Sequence, residues 1–225
     1  MTSGTPHRPP QPLQAILLLA LLPLLPAHAA KARSGDAARA DAIVASLARP
    51  APARTAFTEV RFVGLLTRPL VLRGEMAWLG GTRLQRRVLT PAPELTEIDG
   101  DSVTLQRGRG RLQRFPLDRA PELKDLAASF VALLSGDAAV LQRVFVVHAY
   151  GDARAWTLDL TPRDAQVARR IRAVSIDGAG RAMRCMRVDS RDGDTAFTLL
   201  GTLGGVALPA DLSPAGLATL CAGGR

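Results

Sequence analysis

The segment from Ala56 to Leu79, AFTEVRFVGLLTRPLVLRGEMAWL, restricts the possible folds of this chain more than any other. It reads as two extended stretches joined at a Thr67-Arg68-Pro69 corner, which predicts a β-hairpin. Side chains alternate between the two faces of a strand. One face of the second stretch therefore carries Leu70, Leu72, Gly74, Met76 and Trp78. Neither face of the hairpin is cleanly polar, so we expect it to lie between two apolar environments, or between a cavity and a cover.

Beyond this hairpin the chain alternates repeatedly between short extended runs and tight turns. Asp-Gly pairs at Asp99-Gly100 and Asp192-Gly193 separate alternating runs, which is a strong signal for a hairpin turn. Parallel pairing would need a crossover of about a dozen residues or more between strands. The pattern therefore predicts an antiparallel sheet.

Two segments have helical periodicity. Residues Pro121–Leu134, PELKDLAASFVALL, place apolar side chains at helical spacing after an N-terminal Pro-Glu. A second helix is expected to begin after Asp36 as its cap and to end before Pro50, with residues 31–36 as a disordered lead. The tail from Leu203 is predicted to be irregular. The predicted fold class is α+β, a curled antiparallel sheet (an incomplete β-barrel) covered by an α-helical lid.

The N-terminal residues 1–29 are predicted to be a cleaved signal peptide. They contain one charged residue, Arg8, then the apolar run Ala15–Leu25, and end in Ala27-His28-Ala29. The run is too short to span a bilayer, and an uncleaved anchor is the alternative. No cysteine follows it closely, which argues against a lipid-modified N-terminal cysteine. Residues 30–225 are then expected to form one periplasmic domain.

The net charge indicates which classes of partner the protein could bind. The formal net charge of +9 falls to +8 once Arg8 is removed with the leader. A basic protein can bind nucleic acid, an anionic membrane or an acidic partner. Export and the presence of a single tyrosine argue against nucleic acid.

In an oxidising compartment Cys185 and Cys221 could form a disulfide, with two free thiols as the alternative.

The sequence offers no recognisable catalytic or metal-binding constellation. His148 is the only histidine after the predicted leader, and no HExxH, GxSxG or P-loop motif occurs. Asp99 and Asp101 lie in a predicted turn, where acidic residues are common. We therefore predict neither an enzyme nor a cofactor or metal site; a hydrolase that uses carboxylates is the alternative.

A lidded, incompletely closed sheet can enclose an apolar cavity suited to acyl chains. We expect large apolar side chains from the strands and from the lid to line it, although any one of them could instead belong to a dry core. The candidates are Phe62, Leu72, Met76, Trp78, Phe130, Leu134, Trp156 and Leu158.

The order of several short motifs resembles the LolA-like family of periplasmic lipoprotein carriers. The motifs are a Gly-x-x-x-Trp strand at Gly74–Trp78, Thr90-Pro91, Ile98–Asp101, Leu133–Asp137, Trp156–Pro162 and Ile176–Gly178. The resemblance covers roughly residues 36–200. It implies an incomplete β-barrel with a helical lid that carries acylated proteins from an inner-membrane transporter to an outer-membrane acceptor.

The resemblance departs from the family pattern just after Trp78. The family has an Arg-Pro there whose arginine holds the lid closed, whereas this chain has Gly80-Gly81-Thr82, with Arg83 nearby. A polyene or glycolipid cargo is therefore an alternative to lipoprotein.

The function predicted is a monomeric carrier that shields the acyl chains of lipoproteins or related lipids and touches membranes transiently. The alternative is an envelope interaction or sensor module on the same fold, which binds lipid or protein without transporting it.

Overall fold

A computed structural model describes residues 27–223, with side chains from residue 35 onward. The predicted signal peptide lies outside this range except for its last three residues. Eleven strands form one antiparallel sheet in the order β6-β5-β4-β3-β2-β1-β11-β10-β9-β8-β7, which leaves β6 and β7 as unpaired edges. The strands are β1 Ala53–Phe62, β2 Leu70–Gly80, β3 Arg83–Thr90, β4 Glu94–Asp99, β5 Ser102–Arg107, β6 Gln113–Pro116, β7 Phe145–Gly151, β8 Trp156–Pro162, β9 Ile171–Ala179, β10 Ala182–Ser190 and β11 Thr195–Leu200.

The helices before residue 170 lie on one face of this sheet and the last helix lies on the other, so the predicted α+β fold with a curled, unclosed sheet and a helical lid is confirmed. Within residues 27–223 no helix is long and apolar enough to cross a membrane. The α-helices are α1 Ala27–Ser46, α2 Pro121–Ser135, α3 Ala138–Val144, α4 Ala165–Ala168 and α5 Pro214–Cys221, and 3-10 turns span Leu117–Arg119 and Leu203–Gly205.

The predicted hairpin Ala56–Leu79 is the β1–β2 pair. Its register places Phe57 opposite Gly74 and Glu59 opposite Leu72, so these four residues lie on one face of the sheet. A side chain at Gly74 would overlap the carbonyl oxygen of Arg87 on β3, which explains why glycine interrupts an otherwise apolar strand.

The two faces of this hairpin meet different neighbours. The inner face looks toward the helices, and the outer face of β1, β10 and β11 is covered by the C-terminal segment. Val60, Phe197 and Leu199 are buried there against Leu217 of α5. Cys185 on β10 and Cys221 at the end of α5 form a disulfide, which ties this cover to the sheet. Strand β1 therefore lies between the helices and the C-terminal cover, whereas Glu75 on the outer face of β2 is exposed.

Both termini of the described chain differ from expectation. The helix α1 runs through residues 31–36, where a disordered lead was predicted, and Asp36 is inside it and not at its cap. The carboxylate of Asp36 instead accepts the backbone N–H of Ala149 at 2.9 Å and contacts His148 Nδ1 at 2.9 Å. The tail is only partly irregular, because it ends in α5, which Ser213 caps by accepting the N–H of Gly216.

Candidate functional site

A cavity of about 780 Å³ lies between the sheet and helix α2. Its volume falls within the range of roughly 300–1,000 Å³ that is typical of small-molecule sites. Its floor is the inner face of β1–β4, β10 and β11, and its roof is α2. Most of its apolar wall consists of Leu47, Met76, Trp78, Leu84, Ile98, Leu123, Leu126, Ala127, Phe130, Leu134, Met183, Met186, Val188 and Leu200.

Methionine is concentrated at this cavity. Met76 on β2 and Met183 and Met186 on β10 all line it, and Met1 is the only other methionine in the chain. The unbranched, polarizable thioether adapts to ligands of different shape, and it is common at surfaces that accept several partners. A wall of this kind suits a flexible acyl chain better than a rigid, highly polar ligand.

Helix α2 roofs the cavity because one of its stripes is apolar. Leu123, Leu126, Ala127, Phe130 and Leu134 recur at helical spacing and line the cavity. The opposite side of the helix buries Ser129, Ala132 and Leu133. Its principal neighbours are the helices α1, α3 and α4 and the 3-10 turn at Leu117–Arg119. The roof is thus held mainly by other helices.

Two ion pairs connect the first turns of α2 to opposite sides of the molecule. Glu122 Oε1 lies 2.9 Å from Arg170 Nη1, near the start of β9. Lys124 Nζ lies 3.0 Å from Asp101 Oδ1 in the β4–β5 turn. Both pairs have an exposed member, so each contributes little, typically below about 1 kcal/mol. Asp125 follows Lys124 on α2, and burial and then repulsion from Asp164 raise the pKa of its carboxyl.

A chain of charged side chains crosses the apolar floor. Glu59 is buried and accepts hydrogen bonds from Arg61 Nε and, at 2.8 Å, from Arg86 Nη2. The guanidinium of Arg86 also stacks 4.9 Å above the Phe57 ring. Arg86 Nη1 lies 3.7 Å from Glu94, whose other oxygen accepts from Arg107 at 3.0 Å. This chain gives the floor one polar stripe able to contact the polar end of an amphipathic ligand.

Five of the eight predicted lining residues border this cavity: Phe62, Met76, Trp78, Phe130 and Leu134. Met76 and Trp78 project from β2, and Phe130 and Leu134 project from α2. The indole N–H of Trp78 donates to the carbonyl of Gly81 at 2.8 Å, which fixes the ring in the wall. The ring therefore offers its apolar surface to the cavity while its polar atom is already bonded.

The other three are not among the residues that line the cavity. Trp156 and Leu158 are buried in the core where β8 packs against the helices, and Leu72 packs on Phe57 and Val88 within the wall. Phe62 borders the cavity at the end of β1, but its ring contacts Phe197 in the outer-face cluster, with ring centroids 6.3 Å apart. The dry-core alternative thus holds for Trp156 and Leu158.

Sequence reasoning missed the methionines of β10 and the polar stripe. Met183 and Met186 carried a visible signal, because methionine is so rare in this chain. Glu59 carried a weaker one, since it shares the inward face of β1 with Phe57. Its partner Arg86 belongs to β3, and only the register of β1, β2 and β3 brings the two together.

His148 lies on the edge strand β7, away from the cavity, with its side chain about half exposed and its ring beside Asp36. Among the described residues, no group of three or more histidine, cysteine, aspartate or glutamate side chains could hold a metal ion.

Comparison with known proteins gives one family. The model of the family described as outer membrane lipoprotein carrier protein LolA-like matches residues 29–224. No curated protein matches the chain significantly.

Several solved structures are similar to the chain at low identity. One is a LolA superfamily protein from Nitrosomonas europaea, at 9% identity and a TM-score of 0.44, covering 77% of this chain and 95% of that one. Another is a putative outer membrane lipoprotein-sorting protein domain from Vibrio parahaemolyticus, at 10% identity and 0.42, covering 81% and 95%. A third is LprF from Mycobacterium bovis, at 13% identity and 0.36, covering 78% and 98%.

Proposed function

Because the chain belongs to the family of LolA-like outer membrane lipoprotein carrier proteins, we propose that it shields the acyl chains of lipoproteins or related lipids in this cavity. It carries them through the periplasm between the inner and outer membranes. The observation that carries the proposal is the apolar cavity of about 780 Å³ roofed by α2. Cargo is taken up from an inner-membrane transporter and given to an outer-membrane acceptor, without chemical turnover.

The lining supports an acyl ligand for a physical reason. Burial of an apolar chain gains about 0.8 kcal/mol per CH₂ group, so a cavity walled by leucine, methionine and aromatic side chains favours long hydrocarbon. Met76, Trp78, Phe130 and Leu134 are proposed to contact it. The Glu59–Arg86 pair is proposed to face the less apolar, ester-bearing end of the ligand.

The proposal is tested by filling the cavity. Ala196 faces the cavity from β11, so Ala196→Phe should occupy part of its volume without exposing new surface. We expect this variant to lose most of its affinity for a fluorescent fatty-acid probe. The matched control is Ala139→Phe, at an exposed position on α3, which should bind the probe as the unchanged protein does.

Native mass spectrometry identifies the natural cargo. Protein purified without detergent from its periplasm should carry bound lipid or acylated protein, and Ala196→Phe should carry less. A protein that is always recovered empty and that ignores acyl probes would contradict the proposal.

A further inference from the structure

Exposed leucines are concentrated at one end of the β1–β6 half of the sheet. Among the described residues, five large hydrophobic side chains are exposed, and four are leucines. Leu65 is 95% exposed and Leu66 50%, and both lie in the β1–β2 loop. Leu89, 54% exposed, lies near the end of β3, and Leu112, 58% exposed, lies in the β5–β6 loop. All these positions belong to the end at which β1, β3 and β5 finish.

Within the β1–β6 half, the loops at this end carry cations and no carboxylates. The three loops are residues 63–69, 91–93 and 108–112; their charged side chains are Arg68, Arg109 and Arg111. All three arginines are exposed, and none makes an ion pair within the described part of the chain. The hairpin turns at the opposite end, residues 81–82 and 100–101, carry Asp101 and no leucine.

Backbone hydrogen bonds hold these loops in place. Gly108 N–H donates to the carbonyl of Pro93 at 2.8 Å, which joins the second and third loops. Gly64 N–H donates to Asp194 Oδ1 at 3.0 Å, and Leu66 N–H to the carbonyl of Val63 at 2.8 Å. The leucines are therefore displayed on a defined scaffold, although burying a leucine side chain would be favourable by about 1.5–3 kcal/mol.

Two other arginines at this end are paired with carboxylates, and the neighbouring β10–β11 turn carries the carboxylates of Asp192 and Asp194. Arg107 is paired with Glu94 at 3.0 Å, and Arg61 with Glu59. Asp194 is engaged by the loop backbone, as described, and Asp192 Oδ1 accepts the N–H of Asp194 at 3.1 Å. The unpaired charge on the three loops is thus positive.

We propose that this end, defined by Leu65, Leu66, Leu89, Leu112 and the three loop arginines, docks the protein onto an anionic phospholipid bilayer. The leucines insert at the acyl boundary and the arginines contact lipid phosphates, as in interfacial membrane anchors. Leu65 and Leu66 lie on one loop with Arg68, Leu112 lies on another with Arg109 and Arg111, and Leu89 lies at the end of β3. This dispersed arrangement fits a deformable lipid surface better than a protein partner. The inference builds on the proposed function but can fail independently of it.

The cavity reaches the same end of the sheet. Val63, the first residue of the 63–69 loop, and Asp194 both line it, whereas Leu65 and Leu66 do not. A protein docked through these loops would therefore hold one end of the cavity at the membrane surface. Acyl chains could then pass between bilayer and cavity over a short aqueous path.

Vesicle flotation tests the docking surface directly. The purified protein should float with vesicles of phosphatidylethanolamine and phosphatidylglycerol and much less with vesicles of phosphatidylcholine alone. We expect Leu65→Ser with Leu66→Ser to weaken binding about tenfold or more. Arg109→Ser with Arg111→Ser should weaken it about tenfold and reduce its salt dependence, because each cation near an anionic surface contributes.

Matched controls lie at the other end of the sheet. Tyr150, 53% exposed on β7, is the fifth exposed apolar side chain, and Tyr150→Ser should leave flotation unchanged. Arg119→Ser with Arg154→Ser removes the same charge away from the loops and should also have no effect. Absence of flotation with anionic vesicles, or equal losses in the controls, would overturn the proposal and point to a protein partner.

Acyl-probe binding in the absence of vesicles separates the two proposals. Leu65→Ser with Leu66→Ser should bind the probe normally, because neither side chain lines the cavity. Loss of vesicle binding with normal probe binding supports the docking surface. A protein that floats but never binds the probe contradicts the carrier function and leaves the docking surface standing.

Discussion

On strands β7–β9 the helices rest directly on the sheet, whereas over β1–β4 helix α2 stands away from it. In the first region Val44 of α1, Leu133 of α2 and Leu141 of α3 pack onto the buried β-strand residues Trp156, Leu158 and Leu160. In the second region, the cavity separates α2 from the sheet. The strands have the same alternating pattern on both sides, so the position of the helices decides which apolar face becomes core.

The two halves of the sheet therefore have different roles. The packed half supplies stability, because its side chains are removed from water and closely packed. The open half leaves apolar surface unfilled, which lowers its contribution to folding but provides a place for hydrocarbon. Truncation of a side chain in the packed half should therefore mainly lower stability, whereas truncation in the open half should mainly weaken ligand binding.

The largest effect is expected from Leu158→Ala in the packed half. Leu158 is fully buried, and its truncation should lower the free energy of unfolding by about 2–5 kcal/mol, because a cavity replaces close packing. Denaturant unfolding measures this change. Probe affinity should stay near that of the unchanged protein at temperatures where the variant is folded. A cost below about 1 kcal/mol would show that the two halves are not packed differently.

Truncation of a side chain in the open half should weaken probe binding and lower stability only slightly. Met76→Ala and Phe130→Ala remove side chains that already face the cavity, so each should cost less than about 1 kcal/mol of stability. Each should weaken binding of a fatty-acid probe about tenfold, because hydrocarbon contacts are lost. Probe titration and denaturant unfolding of the same samples measure both quantities. Leu89→Ala, at an exposed leucine outside the cavity, is the control and should change neither.

The sequence predicted the sheet well because its signals are local. Asp-Gly turns mark the β4–β5 and β10–β11 hairpins and alternating runs mark the strands, and these features do not depend on distant residues. The cavity-lining residues were harder to predict. Leu158 and Met76 lie in equally regular strands and differ only in whether a helix packs directly on them. Glu59 and Arg86 needed the strand register, and α5 was missed although Ser213-Pro214 is a recognisable start signal.

The carboxylates of Asp36 and Asp125 should have opposite effects on the stability of the helices in the two halves. The N–H of Ala149, and next His148, keep the pKa of Asp36 below its usual value, so its carboxylate fastens α1 to β7. This stability is present above the aspartate pKa of the unfolded chain and is lost as pH falls through the folded value. Asp36→Asn should therefore cost about 1 kcal/mol at neutral pH, and the deficit should shrink in acid. Denaturant unfolding across pH measures it, and an unchanging deficit would show that the carboxylate's charge is not what holds α1.

The smallest effect, of opposite sign, is expected in the roof of the open half. Burial and then Asp164 raise the pKa of Asp125, so the folded protein disfavours its ionised form. That cost is complete above the folded pKa and disappears as pH falls toward the unfolded value. Asp125→Asn should thus stabilise the protein at neutral pH by a few tenths of a kcal/mol, because solvent screens a half-buried carboxylate. Unfolding curves at neutral and acidic pH measure the gain, with the exposed Asp118→Asn as control. A loss of stability would mean that Asp125 fastens the roof as Asp36 fastens α1, and the contrast between the two halves would then not extend to their helices.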